Sequence, residues 1–271
     1  MADRNQSTKR LWGQFTTSEG MRLYVPPSDF LKLNSIPRVV DPFDSGTTQL
    51  YPLGTKLEYA ERVFRYSKMG GTAGAVGKLY QSVVPLAGHK DEVITYPAIG
   101  ATTISFTPAV VTTDDLAADE LADGYLFTNG TEAGLGQMYR IKSHPAIVGA
   151  VVGVITLYDP IRVAPGTSQT GTVLHNKYRN VIIHDSPPTA ELVGVCINTL
   201  AANAFGWLQT QGPCAVLTQG TLVIGDFCVP SATVDGAVMP SAAFETDGPY
   251  VGKVMIILAD ADYSAIFLQL E

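Results

Sequence analysis

The sequence predicts a mainly β protein: an antiparallel β-barrel or sandwich body with one short helix, preceded by an extended N-terminal arm. Three observations lead there. From Phe205 to Val238, short apolar runs alternate with Gly, Pro and Asp every few residues, the pattern of a β-meander. The chain combines 46% hydrophobic residues with 26 glycines and 17 prolines, and only 16% of its residues are charged. That is a composition with ample core, many turns and little surface charge. Only Asp114 to Ala122 carries the start signals of a helix, with Thr112 or Thr113 as a cap and acids in the first turn.

Residues 1 to 48 read as the arm. Their aromatic and apolar residues follow no sustained period, and prolines at 26, 27, 37 and 42 favour an extended, wandering path. Arg10, Trp12, Phe15 and Tyr24 are its candidate contacts, because such side chains gain burial only against a surface. Through Arg38 the arm holds six Lys or Arg against three acids, a net +3, so the rest of the chain carries −10 of the overall −7. Residues 49 to 271 are expected to form one β-rich body with sub-lobes, since no clear linker follows the arm.

Within the body, Arg62 to Tyr66 alternate as a strand and run into a glycine-rich stretch. Gly71, Gly74 and Gly77 lack the Gly-Lys-Ser/Thr ending and the preceding buried strand of a phosphate-binding loop. Ser105 to Val111 reads as a strand. The acids Asp114, Asp115, Asp119 and Glu120 read as a solvated helix face, without the spaced oxygen ligands of a calcium loop. Tyr125 to Thr128 and Gln137 to Lys142 make a hairpin around a loop from Asn129 to Gly136. The β-branched run from Ala146 to Leu157 is expected to be a buried strand with a bulge. Val181 to His184 and Leu192 to Ile197 follow.

Phe205 to Thr210 is then a strand, Gln211-Gly212-Pro213 a turn, and Cys214 to Thr218 the returning strand. After a turn at Gln219-Gly220, Thr221 to Ile224 and Phe227 to Val229 are strand pieces around Gly225-Asp226. Tyr250 to Leu258 and Ala265 to Leu270 close the set, with Asp260 and Asp262 in the turn between them.

Catalytic signatures are not found in this pattern. His89, His144, His175 and His184 stand far apart and form no metal-ligand spacing. His184-Asp185-Ser186 holds the residue types of a hydrolase triad, but triads assemble from distant segments. Cys196, Cys214 and Cys228 lie in predicted strands and read as buried free thiols. The sequence therefore assigns no catalytic, cofactor-binding or metal residue. An acidic body argues against a nucleic-acid partner. No run reaches the roughly 20 apolar residues of a membrane span, and MADRNQSTKR lacks a secretory core, so synthesis and assembly in a cytoplasm are expected.

Four strings carry a resemblance: LEYAERVFRYSKMGG (57 to 71), ADGYLFTNGTEAGLGQMYRIKSHP (122 to 145), FGWLQTQGPCAVL (205 to 217) and ADYSAIFLQL (261 to 270). In order and separation they resemble virion structural proteins of tailed bacteriophages, described as head decoration or minor capsid proteins. The likeness spans most of the chain from about residue 57 and does not cover the arm. It implies a non-enzymatic decoration, or cement, protein on the outer surface of the capsid. Its partners would be the major capsid protein and other copies of itself, usually as a homotrimer, in a virion built in the host cytoplasm. The competing reading is a phage tail or host-surface protein that binds glycans, with Trp207, Tyr125 or Tyr139 as stacking platforms. A major capsid protein would need a long spine helix, which no segment here supports.

Overall fold

The computed structural model describes residues 13–17, 20–25, 40–95, 98–109, 115–130, 136–163, 170–241 and 249–271. The protein is mainly β and antiparallel, and it separates into two compact units. Unit 1 holds Met1–Val83 and Tyr178–Glu271, and unit 2 holds Val84–Lys177. The expected single body is thus two units, the second inserted into the first. Composition does not mark the insertion, because both crossings fall in ordinary strand-and-turn sequence.

Unit 1 is built on one sheet. Its strands are β1 (Gly13–Thr16), β2 (Arg22–Val25), β3 (Lys56–Tyr59), β4 (Arg62–Lys68) and β5 (Leu79–Gln81), then, after the insertion, β12 (Ile182–Ile183) and β13 (Leu192–Cys196). They are completed by β14 (Phe205–Leu217), β15 (Phe227–Pro230), β16 (Val238–Pro240), β17 (Gly252–Ile256) and β18 (Tyr263–Gln269). The main path runs β1-β2-β3-β4-β14-β18-β17-β15-β16, with β13, β5 and β12 branching from β14.

The 13-residue β14 is the spine of this sheet. Gln209 pairs with Phe64 of β4 and Val195 of β13, and Gln211 pairs with Val63 of β4 and Gln269 of β18. The strand therefore has β4 along one edge, and β13 followed by β18 along the other. The turn expected at Gln211-Gly212-Pro213 does not form. The ladder with β4 instead shifts register between Gln209 and Gln211, and Gly212 takes φ +88°. Glycine and proline serve a bulge here rather than a reversal, because partners on both edges hold the chain extended.

Two apolar clusters flank this strand. One gathers Leu23, Leu57, Phe64, Tyr66, Met69, Tyr80, Trp207 and Leu208 with others. The second gathers Val195, Val216, Cys228, Val238, Val254, Ile266 and Leu268 among its members. Within the arm, Met21, Leu23 and Val25 are buried in the first cluster, and β2 pairs with β3. This stretch is a sheet hairpin rather than a free extended arm. Its alternating apolar residues complete the core of unit 1, which offsets the entropy of ordering it.

Unit 2 is a closed six-stranded barrel of β6 (Glu92–Thr95), β7 (Thr103–Phe106), β8 (Tyr125–Asn129), β9 (Met138–Ser143), β10 (Gly153–Leu157) and β11 (Thr170–Leu174), in the order β10-β7-β6-β11-β8-β9. Ile94, Ile104, Phe106, Leu126, Ile141, Ile155 and Val173 fill it. A single 3-10 turn, Ala87–His89, is the helical element among the described residues.

Two expectations fail in this unit. Asp115 to Ala122 forms turns instead of a helix; Asp114 and its capping threonines lie outside the described residues. Leu116 and Leu121 are both buried in the barrel core, and Asp119 sits at φ +58°, which a helix cannot accommodate. The Ala146 to Leu157 run is not a buried strand throughout. Only Gly153–Leu157 is strand, and Val148, Val151, Val152 and Val154 are exposed. The expected irregularity is present as a register shift between Thr156 and Leu157 against β9.

Candidate functional site

The residue types that suggested chemistry are absorbed by structure. His184 is buried, with Nδ1 2.7 Å from the Asp185 carbonyl and Nε2 2.8 Å from the Ala237 carbonyl. The carboxylate of Asp185 accepts from Gln81 Nε2 at 3.1 Å and Thr189 Oγ1 at 2.6 Å, while Ser186 Oγ donates to Asp235 at 2.6 Å. Three neighbours in sequence thus bond to three different places, and no triad exists. His144 organises a turn: its Nε2 accepts from the Leu121 N–H at 2.9 Å, so Nδ1 carries the proton donated to the Pro145 carbonyl at 2.7 Å. His175 Nε2 lies 3.5 Å from Glu120, and the His89 and His175 rings are 6.0 Å apart.

The three cysteines are free and buried, as expected. Burial pushes the Cys196 thiol up to about 11, and those of Cys214 and Cys228 to about 12. Asp260 and Asp262 do form the turn before β18, where Asp260 accepts from Gly220 N–H and Asp262 from Tyr263 N–H at 2.7 Å. Gly74 bridges Leu200, and Gly77 lies against the Tyr263 ring, so the glycine-rich stretch serves close packing. Among the described residues, no group of three or more His, Cys, Asp or Glu could hold a metal ion.

The candidate arm contacts separate. Arg10 and Trp12 lie outside the described residues, and Phe15 stands in β1 opposite Leu23. Tyr24 donates to Glu58 at 3.1 Å within its own sheet, and Lys56 Nζ is 2.8 Å from the same carboxylate. Of the three stacking platforms, Trp207 is 2% exposed and Tyr139 4%, so only Tyr125, 42% exposed, offers a ring face.

One concave feature of unit 1 was not legible in the sequence. A cavity of about 200 Å3 is lined by Val40, Asp41, Asp44, Ser45, Gly46 and Leu50, and by Tyr51, Tyr66, Phe205 and Trp207. The β4–β14 register places Tyr66 directly opposite Trp207, with ring centroids 5.1 Å apart. Tyr51 stands 5.1 Å from Tyr66, edge to face, and 5.4 Å from Trp207. The loop carrying the carboxylates is clipped to the start of β14 through Gly46, whose N–H donates to Phe205 and whose carbonyl accepts from it, at 3.0 and 2.8 Å. The Tyr66 hydroxyl accepts from the Leu50 N–H at 3.1 Å. Burial, then Tyr66, then Asp44 push the Tyr51 phenol up to about 12, so it stays a neutral ring.

Both units also carry exposed aliphatic side chains close together in sequence. In unit 1, Val223, Ile224, Met255, Ile256 and Leu258 lie exposed; the Gly225 N–H donates to the Val254 carbonyl, which sets that turn beside β17. In unit 2 the strip is Val148, Val151, Val152 and Val154. No protein-family model, no curated protein and no solved structure matches this chain.

Proposed function

We propose that this chain is a non-enzymatic structural protein of a tailed-phage head, a decoration protein that binds the outer capsid surface and stabilises the shell through contacts among subunits. The observation that carries the reading is the pair of aliphatic surfaces. Ile224 is 61% exposed and Val151 64%, each among apolar neighbours that a lone soluble protein has reason to cover. A shell protein covers such strips with the major capsid protein or with further copies of itself, in threefold clusters. Repetition over a lattice supplies avidity, so each contact can be weak. The four phage-like strings point the same way.

Glycan adhesion has less support, since two of its three aromatic platforms are core residues. The test is cryo-electron microscopy of the intact particle. Threefold density over the whole shell, with hundreds of copies, is expected. Density confined to the tail, or absent from the particle, would overturn the proposal.

A further inference from the structure

The exposed aliphatic residues of unit 1 form one patch, and a bulge shapes it. β17 alternates Gly252 in, Lys253 out, Val254 in and Met255 out, so a regular strand would turn Ile256 inward. Instead the ladder with β18 shifts register between Val254 and Ile256, and Ile256 stays 52% exposed beside Met255. A bulge that sends a second apolar side chain outward serves presentation, since core burial favours the regular ladder. Val254 donates to the Asp226 carbonyl at 2.9 Å and accepts from the Gly225 N–H at 2.8 Å, which sets Val223 and Ile224 beside Met255. The Gly220 N–H donates to Asp260 Oδ1 at 2.6 Å and ties the turn after Leu258 to the same loop. Three exposed carboxylates therefore edge the patch: Asp226, Asp260 and Asp262. Lys253 is the opposing charge on β17, and its Nζ lies 4.8 Å from the Phe227 ring centroid.

These features select the occupant. Two such patches face to face would set three carboxylates against three, which opposes pairing of the patch with itself. A complementary surface places apolar side chains next to positive charge. Residues 1–12, which lie outside the described residues, have that composition: Arg4, Lys9 and Arg10 against Asp3, then Leu11 and Trp12. Trp and Arg are also the side chains that most often anchor an interface. A chain's own Leu11 and Trp12 cannot reach its own patch. They lie within roughly 7 Å of chain from Gly13, whereas β1 stands six strand positions from β17, roughly 29 Å across the sheet.

We infer that residues 1–12 of one copy dock on the unit 1 patch of a neighbouring copy. Leu11 and Trp12 cover Ile224, Met255 and Ile256, and Lys9 and Arg10 face the three carboxylates. This contact rests on the proposed role in joining subunits and gives that role one named interface. The segment is short, so each contact is weak, in keeping with a lattice that works by avidity.

The test is sedimentation of the full chain in solution, without capsids, over a range of protein concentrations. Self-association in the micromolar range is expected, and it should weaken as salt is added. Arg10→Ala/Trp12→Ala and Ile224→Ser/Ile256→Ser should each associate at least about tenfold more weakly. Ile224 and Ile256 are both exposed, so the second variant should keep its melting temperature; should it melt early, Ile224→Ser alone takes its place. An equimolar mixture of the two variants should recover association, because one supplies the patch and the other the segment. Wild-type protein that stays monomeric at every concentration reached, a patch variant that associates like wild type, or a mixture that stays apart would overturn the inference. None of these results bears on the particle imaging that tests decoration itself, so the two can fail separately.

Discussion

Replacing Gly212 by alanine tests the bulge that turns β14 from an expected hairpin into one continuous spine. An alanine Cβ there would lie 2.4 Å from the Glu61 carbonyl oxygen and 3.1 Å from the Arg62 Cα, both backbone atoms where the β3–β4 turn enters β4. The position also has φ +88°, which L-residues disfavour. Two costs add: about 1 kcal/mol for the left-handed conformation and about 1–3 kcal/mol for forcing backbone apart in a packed sheet. Gly225 supplies the control, because it has φ +87° but nothing within 4 Å of a built Cβ. Gly225→Ala should carry the conformational cost alone. In thermal unfolding of a domain this size, the expected losses are about 2–4 °C for Gly225→Ala and about 4–16 °C for Gly212→Ala. If both variants melted together, Gly212 would not be wedged against β4, and the continuous-spine account of this sheet would fail.

Three further outcomes are expected. Trp207→Ala should destabilise the protein by about 3–5 kcal/mol in urea unfolding, because the indole is buried between Tyr51 and Tyr66; a loss below 1 kcal/mol would place it outside the core. Burial alone would raise the Glu271 carboxyl, but hydrogen bonds from Arg65 and Thr210 outweigh it and hold the group below its ordinary 4.5. A depressed carboxyl stabilises the fold above its unfolded value and loses that contribution as pH falls through the folded one. Stability should therefore drop below about pH 4.5, and Glu271→Gln should be less stable at neutral pH with a flatter profile through that window. The three thiols, all pushed up by burial, should resist a thiol-specific disulfide reagent in the native state and react together on denaturation; fast labelling of any one in the native protein would contradict its burial.

The sequence by itself determined the β class, most strand positions and the state of the cysteines. These are local properties: alternation of period two, turn residues between strands, and thiols set among β-branched neighbours. The short helix was misread for the opposite reason. Its acids and capping residues are local signals, but Leu116 and Leu121 must both enter the barrel and the His144 ring claims the Leu121 N–H, which a helix would not allow. At Gln211-Gly212-Pro213 the same residues suit a turn or a bulge, and only partners on both edges of β14 decide between them. The arm hairpin was hidden because Met21, Leu23 and Val25 find their partners on β3 and beyond, far along the chain. Tertiary structure alone made the aromatic cavity. Tyr51, Tyr66, Phe205 and Trp207 come together only through the register of β4 against β14 and the loop clipped at Gly46, a pairing of segments more than a hundred residues apart that no local pattern encodes.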